Sequence, residues 1–440
     1  MRIAPLLSAV FLYAGVVVAE PLPAPVTDSL FAPVSQNEAA LGQLLFYDPI
    51  LSGNRNIACA TCHHPKFATA DGVALAIGEG GVGLGPDRRV DLVQMPEERI
   101  PRNAPALFNL GAYEFTTMFH DGRLQADVTQ PGGIRTPMDA DMVTGFASVL
   151  SAQTMFPVLS RDEMAGGFRE NDIGRTVRQG LITGEGGAWD LIARRIAEVP
   201  VYADQFRATY PHISHAEDIA FTDISNAIAA FIEFEWRSDM APFDAVLRDE
   251  AQLQGAALDG QKLFYGDAKC ASCHSGPFQT DHQFHAMGAP QIGPGKSAQF
   301  QSNHDDTGRH LVTGDRADMF AFRTPSLRNV VHTGPYGHAG GHADLHEFIT
   351  AHSDPVAGLA AFDASAVDLP VMAVDDFIIM QDPKQVAAIA AAVRVEPVSL
   401  SETEIAQIVA FLDTLTDTAA IAGRLGIPAA VPSGLPVSGH

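Results

Sequence analysis

Cys59-Ala60-Thr61-Cys62-His63 and Cys270-Ala271-Ser272-Cys273-His274 are two Cys-x-x-Cys-His motifs that together use every cysteine of the chain. This spacing is the attachment signature of a c-type haem. Each cysteine pair can form two thioether bonds to a haem edge, and the adjacent histidine reaches the iron as an axial ligand. Two motifs predict two covalently bound c-type haems and redox chemistry. Paired cysteines also occur as thioredoxin-like redox pairs, as half of a zinc site, or as four thiolates around one zinc. Zinc pairs usually lie close in sequence, whereas these stand far apart. Neither alternative needs a histidine directly after each second cysteine.

Outward from the motifs, the amino terminus starts Met1-Arg2-Ile3, runs apolar from Ala4 to Val18 and reaches Ala19. A basic start, a short apolar run and a small residue describe a secretory signal peptide over residues 1–19. The run is short for a membrane span, and no later stretch is long and apolar enough. An uncleaved amino-terminal anchor is the alternative. The expectation is an exported, periplasmic protein that is not integral to the membrane. Export suits the cysteines, because c-haem is attached on the outer side of the bacterial inner membrane. The net charge of −24 argues against nucleic acid as a partner. An acidic surface gives solubility and could steer a basic electron carrier.

The 440 residues allow two or three domains. Residues 20–34 are Pro-rich and read as an extended lead-in. Residues 35–212 and 213–420 read as two haem domains, and 421–440 as a flexible tail. Gly78 to Gly85 and Gln130 to Asp141 read as loops. Ser214-x-x-Glu217 and Ser401-x-x-Glu404 have the form of capping boxes. Behind them, Ile224, Ile228, Phe231 and Ile232, then Ile405, Ile408, Val409, Leu412 and Leu415, form helical apolar stripes. Alternating β patterns are few. The predicted fold is mainly α, with two c-type cytochrome-like haem domains and long loops.

The chain resembles the bacterial di-haem cytochrome c peroxidase family, which includes the MauG-type enzymes. The resemblance runs from about Ala39 to Asp417. It rests on Arg102-Asn103-Ala104-Pro105, Phe119-His120-Asp121-Gly122-Arg123, Ala152-Gln153 through Pro157 to Glu163-Met164, and Arg323-Thr324-Pro325-Ser326-Leu327-Arg328-Asn329 through Thr333-Gly334-Pro335-Tyr336-Gly337-His338. It implies a peroxidase-type oxidoreductase that reduces hydrogen peroxide with electrons from a small cytochrome c or cupredoxin. The MauG-like alternative oxidises side chains of a partner protein. A non-enzymatic di-haem electron carrier is a third reading. By resemblance Glu163 is the distal acid and Gln153 orients peroxide or water. Read without the resemblance, Ser160-x-x-Glu163 is a capping box at the surface. His63 would ligate the peroxide-reacting haem and His274 the electron-transfer haem. Asn103 and the backbone oxygens of Thr333 and Pro335 would hold a calcium ion. Family members often form homodimers, and no residue of this sequence decides that.

Three departures bear on mechanism. Many peroxidases of the family carry a distal histidine 16 residues after the proximal one, and here that position is Glu79. The first haem is therefore expected to be open, five-coordinate or water-bound, without prior reduction. The electron-transfer haem of those enzymes has an axial methionine, and MauG has tyrosine. Counting forward from Pro335-Tyr336-Gly337-His338 puts His352 there, with Met372 or Met380 as alternatives. Methionine raises the potential of a haem, so bis-histidine ligation would lower it. The inter-haem tryptophan of the family is replaced by His120, and Trp189 and Trp236 read as core. The stretch between Arg123 and Gln153 is longer than in the family. His338, His342 and His346 read as loop residues rather than a metal cluster, with His338 near the second haem.

Overall fold

The computed structural model describes residues 20–296 and 304–438, so the expected signal peptide lies outside the described residues. Among the described residues the fold is mainly helical, with three small antiparallel sheets. Two apolar cores organise it.

In the first core the helix Gln36–Tyr47 starts at Ser35, whose hydroxyl accepts from Glu38 N–H, and lies along the helix Phe221–Glu235. Gly42 makes this approach possible, because a Cβ there would sit 1.8 Å from Ala227 O. Ile224, Ile228, Phe231 and Ile232 are all buried, as their spacing predicts. Phe46 packs against Phe231 and Trp236, with ring centroids 5.2 and 5.1 Å away. Each such buried ring contributes roughly 1.5–3 kcal/mol. Trp189 and Trp236 are core residues.

The second core repeats the device. The helix Gly255–Phe264 crosses Glu402–Asp413 through Gly260, whose added Cβ would lie 1.8 Å from Gln407 O. Phe411 gathers Phe243 and Phe264 at 5.0 and 5.1 Å. The Ser401–Glu404 capping box forms, and Ile405, Ile408, Leu412 and Leu415 are buried behind it.

Several expectations change. The division at 212/213 cuts through the first core, which takes in Ile213, Ile219 and the whole Phe221–Glu235 helix, while the second core starts at Phe243. The last described residues pack on the first core. Val431 is buried in the first core, with Leu435 and Val437 against it. The buried Glu235 carboxylate accepts from Leu425 N–H and Gly426 N–H, and Ser433 Oγ donates to Asp48 at 2.7 Å. At the 214–218 turn the acid reaching back to the Ser214 and His215 amides is Asp218, not Glu217. Both expected loops contain short strands. Gly81–Val82 pairs with Arg89–Val90, and Ile134–Arg135 joins Thr117–Met118 and Leu124–Ala126 in a three-stranded sheet. Burial of Met118, Leu124 and Ile134 explains the second. Among the described residues no helix is long and apolar enough to cross a membrane.

Candidate functional site

The two motifs fold almost alike. Cys59–Cys62 forms one helical turn that His63 closes, its N–H donating to Cys59 O at 3.0 Å. Ala68 and Thr69 adopt left-handed backbone, which returns the chain so that Thr69 O lies 3.0 Å from His63 Nδ1. The second motif closes with His274 N–H on Cys270 O, and His274 Nδ1 lies 3.1 Å from Gln279 O. With each Nδ1–H donated to a carbonyl, each Nε2 keeps its lone pair for a metal. Burial lowers the pKa of both imidazoles, which favours that neutral form. No disulfide joins any of the four cysteines, so all four sulfurs are available for attachment. A single zinc ion on four thiolates does not fit, because the pairs belong to different cores. The only such cluster of possible metal-binding side chains among the described residues is Cys273, Asp281 and His285.

The structure brings His352 to His274, with ring centroids 6.3 Å apart. Two metal–nitrogen bonds of about 2 Å each, plus the ring radii, fill such a gap. His352 stands on the helix Leu345–Ser353 and stacks on Phe348 at 5.2 Å. Burial first, then His274 and His342, push its pKa down to about 4. Met380 packs in a separate small cluster, its Sδ accepting from Gln291 N–H.

No ring pair of this kind involves His63 among the described residues. Glu79 is buried and its Oε2 accepts from Asn56 Nδ2 at 2.8 Å, so it is not a solvated loop acid. Burial raises its pKa. Its N–H donates to Asp162 O at 2.9 Å, and a Cβ on Gly78 would lie 2.0 Å from the same oxygen. The glycine loop thus packs directly on the segment bearing Glu163. That segment, Arg161–Ala165, is a single π turn, a form often found at functional sites. Ser160 makes no side-chain cap there, so the capping-box reading of Glu163 is not realised. Burial raises the Glu163 pKa, opposed by Lys296 and Arg123, and its charge acts on Cys62. Gln153 sits on the short helix Val149–Thr154 just before this segment.

A charged cluster joins residues of the quoted motifs to Asp306 and Lys296, which no motif marked. Arg102 bonds Asp306 at 2.6 Å and Asp121 at 2.7 Å, and Arg123 bonds Asp121 at 3.0 Å. The Arg323 guanidinium donates to the Phe119 and Thr324 carbonyls, and burial brings it down to about 10. Lys296, lowered to about 8 by burial and then by Arg123 and Arg102, adds a further cation. Arg102, Arg123, Arg323 and Lys296 outnumber Asp121 and Asp306. That excess suits the carboxylates of a haem. His120 is enclosed here, and burial, then Arg102, His338 and Arg323, hold its pKa near 3. His338 stacks on Phe322 at 3.8 Å, beside Arg102 and Asp306. His342 faces Phe348, and His346 pairs with Glu402, so the three histidines are not gathered on one metal.

Asn103 and Pro335 also meet. Asn103 Nδ2 donates to Pro335 O at 2.7 Å, while its buried Oδ1 has no partner. Turning that amide over would aim both oxygens at one place, with Thr333 two residues from Pro335. Such an oxygen set fits calcium.

Residues 36–252 match the family described as di-haem cytochrome c peroxidase. The methylamine utilization protein MauG of Methylorubrum extorquens is 30% identical over 310 residues, 70% of this chain and 66% of that protein. The chain belongs to the di-haem cytochrome c peroxidase family. Cytochrome c551 peroxidase of Pseudomonas aeruginosa is 26% identical over 322 residues, 73% of each chain. A crystal structure of a MauG-like protein associated with microbial copper homeostasis superposes with a TM-score of 0.56 at 26% identity, covering 94% of this chain and 97% of that one. The di-haem peroxidase BthA of Burkholderia thailandensis, in its Y463M form, shares the fold with a TM-score of 0.57 at 20% identity, covering 95% and 94%. Membership of a di-haem family agrees with the paired motifs and their free imidazole faces.

Proposed function

We propose that the chain is a periplasmic di-haem c-type oxidoreductase that reduces hydrogen peroxide beside Glu163, taking electrons from a small cytochrome c or cupredoxin. The observation that carries this reading is the inequality of the two histidine sites. His274 faces an imidazole, whereas the His63 side is bordered by a desolvated carboxyl on a π turn. Haem tethered at each motif supplies iron that exchanges electrons and, where one face is free, binds peroxide. Glu163 takes the proton from the inner peroxide oxygen and returns it to the outer one, which leaves as water. Such help is worth about 10²–10⁴ in rate. Gln153 orients the peroxide. Thr69 O holds the Nδ1–H of His63 and so strengthens its donor nitrogen. At the second site His274 and His352 would both hold the iron, which would keep that haem for electron transfer. Oxygens of Asn103, Thr333 and Pro335 would hold a calcium ion.

Glu163→Gln tests the acid. Peroxide cleavage should slow at least about tenfold while both haems stay attached, and unchanged turnover would remove the assignment. His352 also favours a second reading, MauG-like oxidation of a partner protein. Bis-histidine ligation lowers the potential of the second site, which makes a stored resting electron harder to hold. Fully oxidised protein that consumes stoichiometric peroxide without reductant supports this version. Silence until one electron is added supports the first. A carrier without enzymatic activity is excluded by a high-spin signal in the resting ferric spectrum.

A further inference from the structure

Two loops carry six of the large exposed apolar side chains: Leu92, Val93 and Met95 on one, Val371, Val374 and Ile378 on the other. Val93 and Val371 are 90% and 91% exposed. The bases of these loops are tied together by one buried guanidinium. Arg99 places Nε 2.9 Å from Asp376 Oδ1 and donates through Nη2 to Pro370 O. The second loop is anchored further where Ala74 N–H donates to Asp368 O and Gly293 N–H to Asp376 O. A fold that spends a buried ion pair on presenting apolar side chains to water is building a surface, because clustered exposed apolar groups mark interaction sites.

The two loops that carry this surface are acidic, with Glu97 paired to Arg161 and Asp376 to Arg99. Residues 91–99 and 367–378 contain Asp91, Glu97, Glu98, Asp368, Asp375 and Asp376, and their one base, Arg99, is buried on Asp376. The first loop also leads to the segment bearing Glu163. Asp91 N–H donates to Gly80 O at 2.7 Å, and Glu97 pairs at 2.6 Å with Arg161, which opens the π turn. With a net charge of −24, a second copy of the chain would be repelled by such a face.

We propose that this acid-rimmed apolar face docks a small basic redox protein, one that presents an apolar patch ringed by lysines. The inference rests on the reading that the chain exchanges electrons with a protein, and adds where that protein sits. Horse-heart cytochrome c serves as the basic probe, titrated calorimetrically in its ferric form into the ferric holoprotein. Binding should weaken as salt rises. A Val93→Lys/Val371→Lys double variant should lose at least tenfold in affinity, with haem spectra and peroxide turnover on a small organic donor unchanged. Leu92→Ser/Val374→Ser removes apolar contact without adding charge and should weaken binding too. No binding by the parent, or binding undiminished in both variants, overturns the proposal. So does a parent dimer in sedimentation that the variants convert to monomer. Both proteins are oxidised and no peroxide is present, so docking is read separately from turnover.

Discussion

The regions around His63 and His274 are built on the same plan and finished differently. In each, a glycine seats a helix against a second one, a Cys-x-x-Cys turn follows, and a backbone carbonyl takes the histidine Nδ1–H. What differs is the chain folded over the plan. At the second site a helix brings His352 to His274, and Ser272 of the motif is exposed. At the first, the glycine loop and a π turn bring carboxyl groups, and Thr61 is buried with its Oγ1 3.3 Å from Ser438 Oγ of the docked tail. A repeated scaffold thus supplies the histidine anchor twice, while the chain folded over it differs: carboxyl groups stand on the His63 side and an imidazole faces His274.

The largest test of that division removes one anchor at a time. Cys59→Ala/Cys62→Ala should lose one haem by mass spectrometry and abolish peroxide cleavage. Cys270→Ala/Cys273→Ala should also lose one haem but keep peroxide binding. If both doubles bind peroxide equally, the two sites are not specialised. His352→Ala should turn the second haem high-spin and leave the first unchanged, and added imidazole should restore the parent spectrum. An unaltered spectrum would point to another ligand.

The pH profile sharpens the comparison further. Burial raises the Glu163 pKa, so its ionised form is lost at higher pH than for an ordinary glutamate. Peroxide cleavage that needs the carboxylate should therefore fall on the acid side above a pH of about 4.3, the usual glutamate value. Glu163→Gln should erase that limb, and a limb that persists in the variant belongs to another group. The smallest effect concerns the tail. Ser433→Ala removes one hydrogen bond to the buried Asp48 and should cost about 1 kcal/mol in thermal or denaturant unfolding, with the first haem site responding before the second. Equal loss at both sites would mean that the tail does not distinguish them.

The parts of this protein readable from residues alone are those whose partners lie within a turn or two. The haem tethers and proximal histidines follow from a five-residue motif. The buried stripes of Phe221–Glu235 and Glu402–Asp413 follow from helical periodicity, and the Ser401–Glu404 cap from its spacing. Resemblance carried the further step of nominating His352 and Glu163. The folded chain alone decided the rest. It drew Ile213 to Trp236 into the first core, returned the tail from Leu425 to Ser438 onto that core, and buried Glu79 against Asp162. It also joined two apolar loops through Arg99 and Asp376, 277 residues apart. A short-range pattern is fixed by backbone geometry, which sequence spacing encodes. A contact between distant residues depends on the path of the chain between them, set by which apolar surfaces bury together and which buried charges must find partners.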